Sequence, residues 1–200
     1  PQLFKQLLMM GGLDRYYQIV RCFRDEDLRA DRQPEFTQID LEMSFVDEEG
    51  VMAVAEGMIS SLFQDTSGTE LQTPFPRMTY DQAMREYGLD RPDIRFDLRL
   101  QDVTEVVRGS DFRLFAKAEL VKALRVPGGD VLTRREIDDL TEFVKIYGAQ
   151  GLAWIKIKED EWQSPIAKFL SSKEQQGLKE SLGLEPGDIV FFQAGQPEMV

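Results

Sequence analysis

The chain has 200 residues, a formal net charge of −12 and no histidine, and 42% of its residues are hydrophobic. This length and apolar content are enough for two small globular domains, while the acidity disfavours non-specific binding of nucleic acid over most of the surface. The absence of histidine removes the commonest general base near neutral pH and every catalytic triad that contains one. Any chemistry must therefore rest on the placement of charges.

Cysteine content and hydropathy exclude further classes. Cys22 is the single cysteine, so the chain has no internal disulfide framework and no thiolate cluster for zinc. The sequence has no apolar run of the about 18 residues that a membrane span needs, and residues 1–10 lack the features of a secretory signal. We expect a soluble, cytoplasmic protein without a membrane partner. Because the chain begins at Pro1 and ends at Val200 soon after an apolar run, we also expect an internal piece of a longer protein, truncated at its C-terminal end.

The first part of the chain is predicted to contain a helix, two strands joined by a polar loop, and a second helix. Apolar residues at helical spacing over 2–10 end at Gly11 and Gly12, a common helix terminator. Aromatic and β-branched runs over 16–23 and 35–46 predict the two strands. Apolar residues recur at helical spacing over 50–63, which predicts the closing helix.

Prolines break the pattern between residues 67 and 97 and mark a passage between domains, so composition divides the chain into residues 1–94 and 95–200. A capping box is predicted at Thr133 and Glu136. The predicted strands of the second part cover 112–116, 120–126, 152–157 and 189–192, its helices cover 133–147 and 166–182, and a short helix at 80–87 precedes it. The whole chain is predicted to be α+β.

The second predicted strand places its side chains on two chemically different faces. We expect the apolar face to be core and the polar face to be open to a ligand, as in a sheet that packs on helices from behind. The expected core face carries Thr37, Ile39, Leu41, Met43 and Phe45, and the expected ligand face carries Phe36, Gln38, Asp40, Glu42 and Ser44.

Arginines in and before the polar loop give this face the chemistry of an anion site. A guanidinium such as that of Arg24 can bind phosphate or carboxylate through two hydrogen bonds, and the ring of Phe36 can stack on a base. The same pattern also fits an acidic, solvated loop whose arginines make surface ion pairs worth about 0–1 kcal/mol each. Spacing alone leaves both interpretations open.

Residues 23–40 read FRDEDLRADRQPEFTQID. This segment closely resembles the second signature motif of class II aminoacyl-tRNA synthetases, in the form found in bacterial aspartyl-tRNA synthetases. Residues 1–6 (PQLFKQ) are similar to the segment just upstream of that motif. Residues 123–129 (ALRVPGG) and 143–149 (FVKIYGA) are similar to the GAD-type insertion domain of the bacterial enzymes. The resemblance implies part of the synthetase antiparallel sheet with flanking helices, followed by a separate α+β insertion domain.

The resemblance also implies an activity and a set of site residues. Enzymes of this family activate L-aspartate with ATP to aspartyl-adenylate and transfer it to tRNA, and the implied catalytic residue is Arg24, which contacts both the α-phosphate of ATP and the substrate carboxylate. The implied ATP-binding residues are Arg24, Asp25, Glu26, Gln33 and Phe36; the aspartate-binding residues are Gln2, Lys5, Arg24 and Asp40; and the residues contacting the tRNA acceptor end are Asp27, Arg29 and Arg32.

Three of these roles follow a simple chemical match. The resemblance implies that the ring of Phe36 stacks on adenine. The carboxylate of Asp40, together with Gln2, is implied to hold the α-ammonium of the substrate. The Lys5 ammonium is implied to pair with the side-chain carboxylate of the substrate aspartate. A cation at that position favours aspartate over the neutral amide of asparagine.

The resemblance further implies magnesium, a homodimeric parent and tRNA as partner. The metal bridges the phosphates of ATP, but its protein ligands are not assigned by these residues, and the resemblance leaves open whether the parent charges asparagine tRNA as well as aspartate tRNA. We find no dimer-interface motif, no glycine-rich third motif and no anticodon-binding barrel in these 200 residues, so we expect the isolated chain to be inactive. Two alternatives stay open: an insertion module that binds tRNA or a protein without catalysis, and an ATP- or amino-acid-binding relative that has lost tRNA charging.

Overall fold

The computed structural model describes residues 2–25, 27 and 32–197. Contacts within the chain group it into two compact units, Pro1–Arg77 and Met78–Val200, and each unit is described by itself. The boundary predicted from composition, at residues 94/95, lies further along the chain. No helix in the described part of the chain is long and apolar enough to cross a membrane.

The first unit is built on an antiparallel hairpin. Helix α1 (Gln2–Met10) precedes strands β1 (Arg15–Phe23) and β2 (Glu35–Met43), and helix α2 (Glu48–Ser67) follows them. The strands pair along their whole length, from Arg15 opposite Met43 to Phe23 opposite Glu35. These elements confirm the prediction for this part of the chain, although α2 is longer at both ends than the apolar spacing indicated.

The two faces of the hairpin are buried in the opposite way to the prediction. The apolar face is mostly exposed: the exposed fractions are 72% for Tyr17, 71% for Ile19, 70% for Phe23 and 51% for Ile39, whereas Leu41 and Met43 at the end of β2 are half-buried. The polar face is half-buried, because α1 contacts it through Lys5. Alternation along a strand shows which side chains share a face, but not which face is covered. The expectation that the apolar face forms a core is therefore wrong for this chain.

The second unit is a five-stranded antiparallel sheet with helices on both faces. Its strand order is β3-β4-β7-β5-β6. The strands are β3 (Leu100–Asp102), β4 (Leu120–Val126), β5 (Ala153–Ile157), β6 (Trp162–Gln163) and β7 (Ile189–Gly195), and the helices are α3 (Tyr80–Tyr87), α4 (Thr104–Val107), α5 (Arg113–Lys117), α6 (Arg134–Lys145) and α7 (Ser172–Leu182). Short 3₁₀ turns occur at Gly129–Val131 and Ala167–Phe169.

The core of this unit lies on both faces of β7. Val190 and Phe192 belong to a large apolar cluster that includes Leu178 of α7, while the alternate residues Ile189 and Phe191 pack with Ile137 of α6. A strand whose two faces are both covered reads as a continuous apolar run, which is why residues 189–192 were recognisable as a strand.

The strand predicted at residues 112–116 is wrong, since α5 occupies this segment. Phe112 and Phe115 are three residues apart and both pack on the large cluster, with their ring centroids 4.9 Å apart. That spacing puts both rings on one face of a helical turn, but a five-residue apolar run does not distinguish a helix from a strand by its period.

Helix α6 begins with the predicted capping box, which is confirmed. Thr133 Oγ1 accepts a hydrogen bond from the backbone N–H of Glu136 at 3.3 Å, and Glu136 Oε2 accepts one from the backbone N–H of Thr133 at 2.7 Å. These bonds use two donors that the first turn of a helix otherwise leaves unsatisfied.

We expect Thr133→Ala to lower the free energy of unfolding by about 1 kcal/mol, because the alanine removes the cap. The measurement is urea denaturation followed by tryptophan fluorescence; both tryptophans, Trp154 and Trp162, lie in the second unit. Ser181→Ala is the control, since Ser181 is exposed and its hydroxyl donates to the carbonyl oxygens of Gly177 and Leu178 inside α7, whose backbone already forms the helix. Equal stabilities for the two variants would contradict the prediction.

Candidate functional site

The polar face of the hairpin carries a cluster of charged and amide side chains centred on Lys5. The Lys5 ammonium nitrogen, Nζ, lies 2.7 Å from Asp40 Oδ1 and 3.4 Å from Glu42 Oε2. Gln18 Nε2 donates to the second oxygen of Asp40 at 3.1 Å. Lys5 comes from α1, Gln18 from β1, and the two carboxylates from alternate positions of β2. The packing of α1 on the hairpin therefore brings together Lys5 and Asp40, which the resemblance had assigned to one substrate.

Gln18 was not predicted to belong to the site, and Glu42 was predicted only as one of the residues on the expected ligand face. Both could have been found from the strand pairing, because Gln18 lies directly opposite Asp40 in the register and Glu42 is two residues further along β2. Residues at such positions share a face of the sheet and lie close together. The register itself, however, is not evident from the sequence of a hairpin with a long loop.

The contacts in this cluster favour the charged forms of both main partners. The hydrogen bond from Lys5, and after it the bond from Gln18, holds the pKa of Asp40 below its usual value. The same bond to Asp40 raises the pKa of Lys5, with a further contribution from Glu42. One ammonium between two carboxylates gives the cluster a net charge of about −1, which favours an additional cation close to it.

We expect Lys5→Met to raise the pKa of Asp40, because the largest cause of its lowered value is removed. The measurement is a carbon NMR titration of the Asp40 carboxyl group in the two proteins. Gln18→Met is the matched control and should raise this pKa by less, since its hydrogen bond is the second cause. An unchanged Asp40 pKa in Lys5→Met would refute the assigned contact.

The sign of the associated stability effect follows from the two shifts. The pKa of Asp40 is lowered, so the contact stabilises the fold above the pKa of an unfolded aspartate and this stabilisation is lost as the pH falls through the lowered value. The pKa of Lys5 is raised, so its contribution is present below the usual lysine value and is lost as the pH rises through the raised one. The contact is therefore intact across the neutral range.

A second group of site residues lies where β1 runs into the loop. The guanidinium carbon of Arg24 lies 5.3 Å from the centroid of the Phe36 ring, a cation–π arrangement. The backbone N–H of Arg24 donates to the carbonyl oxygen of Pro34 at 2.9 Å and so fixes the two ends of the loop. Arg24 is exposed and Phe36 is half-buried. A ligand arriving from solvent thus meets a guanidinium and an aromatic ring together.

Seven predicted site residues remain besides these two pairs. Gln2, Asp25, Asp27, Arg32 and Gln33 are exposed, and the contacts of the described residues join none of Gln2, Asp25, Asp27 and Gln33 to Lys5 or Asp40. Two further predicted residues, Glu26 and Arg29, lie outside the described residues. The structure therefore brings together two pairs, Lys5 with Asp40 and Arg24 with Phe36.

Comparison with known proteins identifies the family of the chain. The family of class II tRNA synthetases (D, K and N) matches residues 1–182, and the chain belongs to this family. Over 200 residues it is 74% identical to the aspartate–tRNA(Asp/Asn) ligases of Oleidesulfovibrio alaskensis and Nitratidesulfovibrio vulgaris, with 100% of the chain and 33% of each relative covered. It is 55% identical to the aspartate–tRNA ligase of Staphylococcus carnosus over 205 residues, which covers 100% of the chain and 35% of that relative.

The family prediction made from residues 23–40 is thereby confirmed. The chain spans about a third of the length of the curated relatives that it matches. Those relatives therefore contain further residues that can cover surfaces which this chain leaves exposed, such as the apolar face of the hairpin.

Proposed function

We propose that the chain is part of a ligase that activates L-aspartate with ATP and transfers the aspartyl group to tRNA, and that it supplies one wall of the substrate site. The observation that carries this proposal is the contact of Lys5 with Asp40 at 2.7 Å on the polar face of the hairpin. Family membership supports it, because the relatives named above are aspartate–tRNA ligases.

The Lys5 cluster contains a partner for each charged group that distinguishes aspartate. Without substrate, the ammonium of Lys5 and the carboxylate of Asp40 neutralise each other, which reduces the cost of holding both in a half-buried place. On binding, the side-chain carboxylate of aspartate pairs with Lys5, and its α-ammonium pairs with Asp40, assisted by Gln2. One ion pair, that of Lys5 with Asp40, is exchanged for two.

Asparagine does not fit this exchange equally well. Its neutral amide would separate Lys5 from Asp40 but would not give the Lys5 ammonium a new anion as partner. Asparagine would therefore cost the site the 2.7 Å ion pair of Lys5 with Asp40 without replacing it, and a site that loses a partly buried polar contact in this way discriminates against the ligand. The cluster is thus suited to select the acid over the amide.

Arg24 and Phe36 form the ATP side of the proposed site. The α-carboxylate oxygen of aspartate forms a bond to the α-phosphorus of ATP, the bond from that phosphorus to the β-bridging oxygen breaks, and pyrophosphate leaves. Arg24 offsets the negative charge that develops at the α-phosphate and holds the attacking carboxylate in place. The Phe36 ring stacks on adenine. Asp25, Glu26 and Gln33 complete this side of the site.

The aspartyl group then passes to a hydroxyl of the terminal tRNA ribose and AMP is released. We propose that Asp27, Arg29 and Arg32 contact the acceptor end of the tRNA, because they belong to the loop between the two strands. The names of two relatives include both tRNA(Asp) and tRNA(Asn), which supports asparagine tRNA as a second acceptor. We further propose that the parent is a cytoplasmic homodimer and that the second unit is its GAD-type insertion domain.

Magnesium is expected to accompany ATP in the parent enzyme. Among the described residues, no group of three histidine, cysteine, aspartate or glutamate side chains is placed to hold a metal ion. We therefore assign no step to residues of this chain acting through the metal.

The test of the proposed function is a chimera. Residues 1–200 replace the matching third of the Oleidesulfovibrio alaskensis relative, to which they are 74% identical. We expect the chimera to catalyse aspartate-dependent exchange of pyrophosphate into ATP, and the isolated chain to show none. A chimera that folds, as judged by circular dichroism and gel filtration, but fails to exchange pyrophosphate would overturn the proposal.

A further inference from the structure

A cleft of about 960 Å³ opens in the second unit at one end of its sheet. Strands β5 and β7 stop pairing at Ala153 opposite Phe192, whereas β7 continues to pair with β4 as far as Gly195. The last residues of β7 therefore have a strand on one side only, and the cleft occupies the other side. Its apolar floor is formed by Phe115, Ile166 and Phe192.

The hydrogen-bonding pattern shows that the backbone of Ala194 faces this cleft. Val121 of β4 lies opposite Ala194, but the Val121 N–H donates to Thr104 Oγ1 and its carbonyl accepts from the Val103 N–H, both at 2.9 Å and both on the side of β3. In an antiparallel ladder, a residue directs both of these groups to the same neighbour. The pair of Val121 and Ala194 is thus not hydrogen-bonded, and Ala194 directs its N–H and carbonyl away from β4.

These two groups of Ala194 have no hydrogen-bond partner among the described residues. Their direction is consistent with the pairing at the other end of the strand, where Ile157 of β5 donates to the carbonyl oxygen of Asp188, the residue before β7, at 2.8 Å. Ala194 itself is half-buried. A donor and an acceptor left unpaired in a half-buried position form a template for one more strand.

The charges around the cleft are mainly positive. Arg113 and Lys117 of α5 and Arg134 of α6 line it, against one acidic side chain, Asp138. Arg134 pairs with Asp138 at 3.0 Å, while the described residues offer no ion pair to Arg113 or Lys117. A local excess of cations in a chain with a net charge of −12 favours an anionic ligand at this place.

We propose that this cleft binds an extended acidic peptide segment, which adds as a strand beside β7 at Ala194 and places its carboxylates against Arg113 and Lys117. Main-chain hydrogen bonds to an open sheet edge, with alternate side chains set into flanking pockets, are a recurrent mode of peptide recognition. The apolar floor would accept an aliphatic side chain of the peptide, and the cations at the rim select its charge.

A single-stranded nucleic acid is a less suitable occupant. It would need an open aromatic face for base stacking, but the guanidinium of Arg134 covers the Trp154 ring, with its carbon 5.6 Å from the centroid. A nucleic acid would also leave the N–H and carbonyl of Ala194 without the regular partners that a peptide backbone supplies.

The test is fluorescence anisotropy of the 200-residue chain with a labelled, end-blocked peptide of alternating aspartate and leucine. We expect saturable binding that weakens by about tenfold or more in the double variant Arg113→Glu, Lys117→Glu, because charge-assisted hydrogen bonds are lost. The double variant Lys173→Glu, Lys179→Glu makes the same charge change on α7, away from the cleft, and should bind as the unmodified chain does.

Two further comparisons test the strand-like mode and the charge selection. Methylation of those peptide nitrogens that face β7 should abolish binding, whereas methylation of the alternate nitrogens should not. An unlabelled peptide of alternating lysine and leucine should not displace the acidic peptide from the cleft, which also controls for adhesion of leucine side chains to the apolar face of the hairpin. The proposal is overturned if the acidic peptide fails to bind, if both methylated peptides bind equally, or if a labelled single-stranded RNA binds in its place.

Discussion

Arg24→Ala in the chimeric ligase is expected to reduce the rate of aspartate-dependent pyrophosphate exchange by about 10²- to 10³-fold, the usual effect of removing one preorganised donor to the charge of a transition state. The guanidinium offers hydrogen-bond donors at fixed geometry. One of them serves the α-phosphate and another serves the attacking carboxylate. Alanine removes both at once, so the loss should appear in the catalytic rate as well as in substrate affinity.

Two variants separate this role from a merely structural one. Arg24→Lys keeps the charge but not the planar fork, and it should retain more activity than alanine while remaining well below the unmodified chimera. Arg21→Ala removes an arginine from the other face of the same strand, where it pairs with Glu35 at 3.1 Å and is 71% exposed, so it should leave the rate nearly unchanged. An Arg24→Ala chimera as active as the Arg21→Ala chimera would contradict the assignment of Arg24.

The hairpin shows what sequence reasoning can and cannot supply. Alternation correctly grouped Asp40 with Phe36 and Ile39 with Thr37, since the period of a strand is fixed by its backbone, but it does not extend to Phe45, which lies beyond the end of β2 with φ at +59°. It did not show that the apolar group would be the exposed one, because burial depends on what packs against the strand. Ile39 is 51% exposed, so the described elements of the first unit do not cover it, and the relatives are about three times as long as this chain.

The pairing of Lys5 with Asp40 was predicted through the resemblance and not through spacing. These residues are 35 positions apart, and the hydrophobic pattern of residues 2–10 predicts a helix without indicating the strand on which it packs. Resemblance assigned both side chains to one ligand and therefore to one place. Alternation along β2 had placed Glu42 on the same face as Asp40, whereas Gln18 carried no such signal and only the strand register revealed it.

A similar limit applies to the segment 123–129 of the second unit. Its two glycines were noted only as part of a resemblance, but the structure supplies a physical reason for them. Gly128 has φ at +68°, a conformation that favours glycine. A Cβ atom on Gly129 would lie 2.4 Å from Cγ2 of Ile189, so this turn must approach β7 without a side chain.

The carboxylate of Asp188 also holds the turn at Gly128, through a hydrogen bond. Its side chain is 4% exposed and accepts hydrogen bonds from Arg125 Nε at 2.6 Å, from the backbone N–H of Glu185 at 2.9 Å and from the backbone N–H of Gly128 at 3.4 Å. It thus joins the end of β4 to the loop that enters β7. We expect Asp188→Ala to lower the free energy of unfolding by about 3–5 kcal/mol, because it leaves a partly buried guanidinium without its anion.

Tryptophan fluorescence during urea denaturation measures this loss in the second unit, and Asp93→Ala is the control. Asp93 pairs with Arg95 at the surface, where the guanidinium is 85% exposed, so its removal should change stability little. Equal effects of the two substitutions would show that the burial of Asp188 does not matter for the fold.

The double variant Arg125→Met, Asp188→Ala distinguishes two origins of the stability that Asp188→Ala is expected to lose. If most of it comes from the guanidinium left unpaired, removing Arg125 as well should recover a substantial part of the stability, since no charge then remains to be solvated. If most of it comes instead from the unpaired N–H groups of Gly128 and Glu185, the double variant should be no more stable than Asp188→Ala. We expect recovery, because Arg125 is 24% exposed and its other acidic neighbour, Glu185, is 3.6 Å away and largely in solvent.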